Sequence, residues 1–204
     1  MAELLEYLAP LGPTGEPITL AEVKLHVRFD ADLTLDDVLI EAVLIPGARQ
    51  LAETKTGSAI RPARYKQRLR DFPAKGGNVA LTHGLVTDIE SITYAGTGGR
   101  ATLPPTEYES AIIDRETLVS PVSGQWPATT PGLTNIEIIY RAGIPPAELA
   151  LKFPTVKHWL LFAAAWGIAQ KELFMIAHGR QGFTELPIDY ISGLLDPITL
   201  RTRF

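Results

Sequence analysis

The sequence predicts an α+β fold, with a helical core of about four helices carrying an inserted antiparallel β subdomain. Three observations lead there. Apolar residues recur at helical spacing in two separated stretches, one near the N-terminus and one after Pro145. Between them, residues 61–144 hold short β-prone runs divided by Gly, Pro and Asn clusters. The length of 204 residues suits one core, or one core with an insertion. The expected organisation is an extended N-terminal lead over 1–17, a helical core from 18–60 and 145–204, and a β subdomain over 61–144.

The lead is rich in proline and glycine (Pro10, Gly12, Pro13, Gly15, Pro17) and lacks the positive start of a signal peptide. In "TLAEVKLHVRF", Thr19 followed by Glu22 forms a capping box, and Leu20, Val23, Val27 and Leu25 supply the apolar stripe. The next helix is expected to start at Thr34 as N-cap, with Asp36 and Asp37 favourable at the positive end of the dipole. Val38, Leu39, Ala42, Ile45 and Ala48, extended by Leu51 and Ala52, give its apolar face. Pro46 and Gly47 predict a kink, and Gly57 a stop.

Strands are expected in "RYKQRLRDF", "NVALTH", "VTDIESITYAG", "TEYESAIID" and "NIEIIYRAG", with "GTGGR" a hairpin tip. Pro154 suits the first turn of a second long helix, whose run "WLLFAAAWGIA" is apolar on nearly every face and too short to span a bilayer. A soluble chain made inside the cell is expected.

Chemical sites are scarce. The acidic stretch from Asp30 to Glu41 has the ligand spacing of a calcium loop. Its sixth residue is Leu35, however, where the turn demands glycine, so a capped helix start is favoured over a metal. The absence of cysteine removes thiolate ligands and cysteine nucleophiles. His26, His83, His158 and His178 show no zinc spacing, and no Gly-x-Ser-x-Gly elbow is present. No catalytic residue, cofactor or metal is expected.

Arg64, Lys66, Arg68 and Arg70 alternate, which on a strand places all four on one face. Such a face is either merely solvated or a contact for a phosphate backbone or an acidic partner.

In this order, the segments resemble the head–tail connector (adaptor) proteins of long-tailed bacteriophages and phage-like gene transfer agents. "ITLAEVKLHVRFDADLTLDDVLIEAVLIPGARQLAETKTGSAI" is similar to that family's first helices, with their acidic break and "AR---E--TG" ending. "FPAKGGNVALTHGLVTDIESITY" is similar to its strands, and "WP", "IEIIYRAG", the apolar helix and "LP … LL-P" follow in order, covering about Ile18 to Pro197. Two places depart from the family pattern: the late helix ends in "AQKELF", and Gly84 and Leu85 stand where "P-PV" is usual.

The resemblance implies a non-enzymatic virion protein at the head–tail junction, made in the bacterial cytoplasm, with no membrane partner. It implies a ring of about twelve copies closed by rotation. The ring would sit between the portal protein and a tail-side stopper or terminator and continue the channel through which DNA passes non-specifically. By the same resemblance the C-terminal segment docks on the portal. Leu194, Leu195, Ile198, Leu200 and Phe204 would act as anchors there, with Arg201 and Arg203 reaching acidic groups. Leu194 and Leu195 serve equally well to close the chain's own core. A different class of function is a ligand- or carbohydrate-binding β module, with Trp126, Tyr94, Tyr108 or Tyr140 as stacking platforms. An unrecognised hydrolase is a third.

Overall fold

A computed structural model describes residues 3–10, 15–130, 132–176, 191 and 193–200. Its elements divide into two units. One, here the helical unit, comprises Thr14–Thr56 and Pro145–Thr199. The other, the β unit, comprises Met1–Pro13, Gly57–Ile144 and Leu200–Phe204. Helices together with antiparallel sheets make this the expected α+β class.

In the helical unit, α1 (Leu20–Val27) begins on the predicted capping box. The Glu22 N–H donates to Thr19 Oγ1 at 3.3 Å, and the Thr19 N–H donates to Glu22 Oε2 at 2.9 Å. Two of the helix's orphan donors are thereby satisfied. Val23 is buried, but Leu25 faces solvent.

The next helix is α2 (Asp37–Leu39), which passes through a π-helical turn at Ile40–Leu44 into α3 (Ile45–Thr56). The expected N-cap at Thr34 is not formed. Asp36 occupies the cap position, but its side chain makes no capping bond to the helix, and Thr34 contributes its carbonyl to the Asp37 N–H at 3.2 Å. The kink expected at Pro46 takes the form of the wider π turn just before it. Proline has no N–H to donate, and its ring crowds the carbonyl four residues back, so the ladder loosens there.

The extra residue in that turn also rotates the apolar face. Ile40, Ile45, Ala48 and Ala52 are buried, whereas Val38, expected on that face, is 79% exposed. Leu51 is also exposed, and Ala42 with it. Gly57, at φ +70, then ends α3 in the left-handed conformation that glycine adopts without steric cost.

After the β unit come α4 (Pro146–Lys152) and α5 (Pro154–Ile176). Val156, Trp159, Leu160, Ala164 and Ile168 bury one face of α5.

The β unit contains two antiparallel sheets. The first has the order β1 (Glu3–Pro10), β2 (Ala63–Leu69), β8 (Ile136–Ala142), β4 (Val86–Gly96), β5 (Gly99–Leu103). The second has the order β3 (Val79–Ala80), β7 (Glu116–Pro121), β6 (Tyr108–Ile113). Part of the lead is therefore strand, because Glu3–Pro10 pairs with β2.

In β2 the alternation is complete. Ala63, Tyr65, Gln67 and Leu69 point into a core shared with Ile92, Leu103, Val119, Ile136, Ile138 and Tyr140. Buried Gln67 is satisfied on both sides of its amide, donating to the Ala80 carbonyl and accepting from the Thr82 N–H, each at 3.0 Å. That links β2 to the end of β3 at little desolvation cost.

Candidate interaction surfaces

The outward positions of β2 are Arg64, Lys66 and Arg68, three of the four alternating cations. Arg70 lies past the end of the strand, exposed, with Asp71 beside it at 3.6 Å. Across the sheet, Arg64 is directly opposite Arg141 of β8 in the register. Two like charges at that spacing repel unless an anion lies between them.

Glu90 supplies the anion. The β4–β8 register jumps from Ile89↔Tyr140 to Ser91↔Ile139, so Glu90 is the extra residue of a β-bulge. Arg64 donates to it through Nε at 2.9 and 3.0 Å and through Nη2 at 2.5 Å, and Arg141 donates through Nε at 2.5 Å. The Arg64 hydrogen bonds hold the Glu90 carboxyl below the usual carboxylate range, and the same bonds push the Arg64 guanidinium up.

A second cluster lies further along the strands. Glu137 accepts from Arg68 Nε and pairs with Arg100 Nη2, both at 3.1 Å. Glu6 of β1 meets Arg68 at 3.3 Å and Lys66 at 3.8 Å. The face thus sets five cations against three carboxylates. The sequence pattern marked three of those cations. The anions come from strands distant in sequence, and no local pattern announces them.

The acidic loop is occupied by a cation of the chain's own. The Lys24 ammonium donates to the carbonyls of Leu33 at 2.8 Å and Ala31 at 3.3 Å and pairs with Asp37 at 2.6 Å. Lys24 is buried, while Asp30 and Asp32 face solvent. Among the described residues no cluster of His, Asp or Glu is arranged to hold a metal, and no described helix is long and apolar enough to cross a membrane.

His158 packs on Phe162, which His26 also meets edge-on. His83 lies 4.0 Å from the Tyr65 ring, with its Nδ1 3.0 Å from the Tyr140 hydroxyl, and burial pushes its pKa down to about 4. His178 is outside the described residues.

Of the aromatic residues that would serve a carbohydrate platform, Tyr140 is fully buried and offers no face. Trp126 stacks on Phe72 at 4.4 Å with the rings 2° from parallel, and its indole N–H donates to the Gly77 carbonyl at 2.8 Å. Tyr94 lies 6.3 Å from that same Phe72, and Tyr108 is partly buried on β6.

The helical unit also carries an apolar cavity of about 440 Å³ between α3 and α5, lined by Val43, Leu44, Leu51, Trp159, Phe162 and Trp166 among others. Trp166 is 53% exposed at it.

Leu194, Leu195 and Ile198 are buried. Leu200 packs against Gly57 and Gly84 in the β unit. Arg201, Arg203 and Phe204 are outside the described residues.

No protein-family model matches the chain, and no curated protein matches it. Solved structures do. A chain of the neck of an empty GTA particle, computed with C6 symmetry, superposes with a TM-score of 0.72 at 15% identity. A chain from the virion of a native gene transfer agent particle gives 0.70 at 16% identity. A chain of the neck of the native GTA particle, computed with C12 symmetry, gives 0.69 at 15% identity. Each comparison covers 98% of this chain and 97% of the other.

This chain has the fold of those particle-neck chains. The likeness spans both units end to end, so it holds for the helices and the β insertion together. At such low identity it is a likeness of fold, and side-chain roles have to be argued from this chain's own residues.

Proposed function

We propose that this protein is a structural component of a virion or gene transfer agent particle at the head–tail junction. It assembles there as a ring that joins portal to tail and continues the DNA path. The full-length likeness to neck chains of symmetric particles is the observation that carries this reading. A subunit in a closed ring needs two different surfaces that meet by rotation, and it needs no reaction centre. The described surface of the helical unit suits that need, with apolar side chains exposed at Leu35, Val38 and Trp166.

Portal docking is assigned to the end of the chain, with Arg201, Arg203 and Phe204 as the contacts. Leu194, Leu195 and Ile198 are buried, and withdrawing them toward a partner would open the subunit's own interior. Leu200 is engaged against Gly57 and Gly84. A tail-side stopper or terminator completes the proposed neighbours. Removing residues 201–204 is expected to leave the folding transition in place and to abolish co-purification with the portal protein. Undiminished co-purification would show that docking uses another surface.

A further inference from the structure

We propose that the outer face of the five-stranded sheet is a low-affinity contact surface for the phosphate backbone of duplex DNA. Arg64, Arg100 and Arg141 would form it, moderated by Glu90 and Glu137. The particle reading supplies the choice of DNA as the polyanion; the surface itself is argued from charge and geometry.

The chain carries a net charge of −4, yet this face gathers five cations in contact with three carboxylates. Asp88, opposite Arg141 in the register, reduces the excess of two to one. Positive charge is therefore concentrated on this face against the balance of the molecule.

Donors remain available as well. Arg141 contacts Glu90 through Nε, Arg100 contacts Glu137 through Nη2, and both are about half exposed, at 48% and 49% of their side chains. A guanidinium has five N–H donors in a planar fork that matches phosphate oxygens. The ion pairs hold these forks in place, so little side-chain entropy is lost when a phosphate arrives.

The carboxylates make the contact weak. Each one stays near the incoming phosphates and offsets part of the attraction, and fewer counterions are released on binding. DNA moving past a surface requires contacts that break readily, and copies around a ring would sum many such contacts.

A protein partner fits this face less well. Among the outward positions of β2, β8, β4 and β5, the large apolar residue is Ile139, flanked by Lys66 and Ser91 in the register. A protein interface centres on a cluster of such residues.

The test uses the purified full chain and a fluorescein-labelled duplex, followed by anisotropy across salt, with thermal melts as a folding control. Wild type should bind weakly at low salt and lose about tenfold in affinity between about 50 and 200 mM, as two neutralised phosphates require. Glu90→Gln and Glu137→Gln should tighten binding several-fold and steepen the salt dependence. Arg100→Gln, a change at an exposed edge-strand position that leaves the core intact, should weaken binding, and the Arg64→Gln/Arg141→Gln pair should abolish it.

Tightening on carboxylate removal, with weakening on arginine removal, establishes the surface. Absence of binding by both wild type and the glutamate variants overturns the proposal. So does binding that neither set alters, or a salt-sensitive self-association lost in the arginine variants, which would make the face a contact between copies. The particle reading is judged separately by imaging, so either can fail while the other stands.

Discussion

Within the helical unit many polar contacts are short in reach, beside long ones such as Lys157 with Glu22, whereas within the β unit the long ones prevail. In the helical unit several polar contacts are local: Thr19 with Glu22, Arg49 with Glu53, and Lys24 with the turn that follows its own helix. In the β unit the defining contacts join residues far apart in sequence, such as Glu90 with Arg141 and Arg68 with Glu137. Buried Gln67 likewise reaches across to Ala80 and Thr82. Local contacts form within one element and can be changed one at a time. Register-dependent contacts hold only while the whole sheet is in place, so damage to the β unit should propagate further.

The largest effect that would break this contrast is expected at Gly143. It follows β8 with φ +117, and a Cβ there would lie 2.5 Å from the Arg61 carbonyl oxygen. Gly143→Ala should cost about 3 kcal/mol, because both the backbone conformation and the close approach require glycine. Urea unfolding followed by tyrosine and tryptophan fluorescence would measure it, and a cost near zero would mean that the end of β8 is loosely held.

The next effect concerns acid. Folded His83 stays neutral down to about pH 4, whereas the unfolded imidazole protonates below its ordinary value of 6.5. Between those values the unfolded chain binds more protons, so stability falls as pH drops from 6.5 toward 4, by about 1–3 kcal/mol in total. In His83→Gln that part of the acid sensitivity should vanish, read as the difference between wild-type and variant urea midpoints at pH 7 and at pH 4.5. Equal acid sensitivity in the two proteins would show that His83 is not held neutral by burial.

Smaller effects belong to the helical unit. Thr19→Ala removes one half of the capping box and should cost about 1 kcal/mol. Gly47→Ala should act in the opposite direction. A Cβ there meets nothing within 4 Å, and alanine in a helix interior is favoured over glycine by about 0.5–1 kcal/mol. Chemical denaturation of each variant tests both signs; destabilisation by Gly47→Ala would mean that the open space beside α3 is filled.

This contrast explains what the sequence disclosed. The Thr19 cap, the Gly57 stop, the Pro154 helix start and the alternation of β2 depend on neighbours a few residues away, and each is found where local pattern placed it. Strands β1, β5 and β7 are not marked by local pattern, since "ELLEYLAP", "GRATL" and "ETLVSP" carry too little alternation to stand apart from their turns. A strict 3.6-residue period puts Val38 on the apolar face, but the π turn ahead of Pro46 shifts the helical phase by one residue and leaves it exposed.

The charged face was half legible. Three arginine and lysine positions alternate within one strand, but the glutamates that partner them come from β1, β4 and β8, and Glu90 reaches the face through a bulge. The acidic loop shows the reverse case. Its spacing is that of a calcium loop without the required glycine, and the cation that lies there is the chain's own Lys24, one helix upstream.

Electron microscopy of particles carrying an epitope-labelled copy of the chain tests most directly the proposal that it builds the neck of a particle. The expected result is label confined to the head–tail junction, with a rotationally symmetric ring of this fold resolved between portal and tail. Label scattered over the capsid, or absent from particles whose junction is otherwise complete, would contradict the claim.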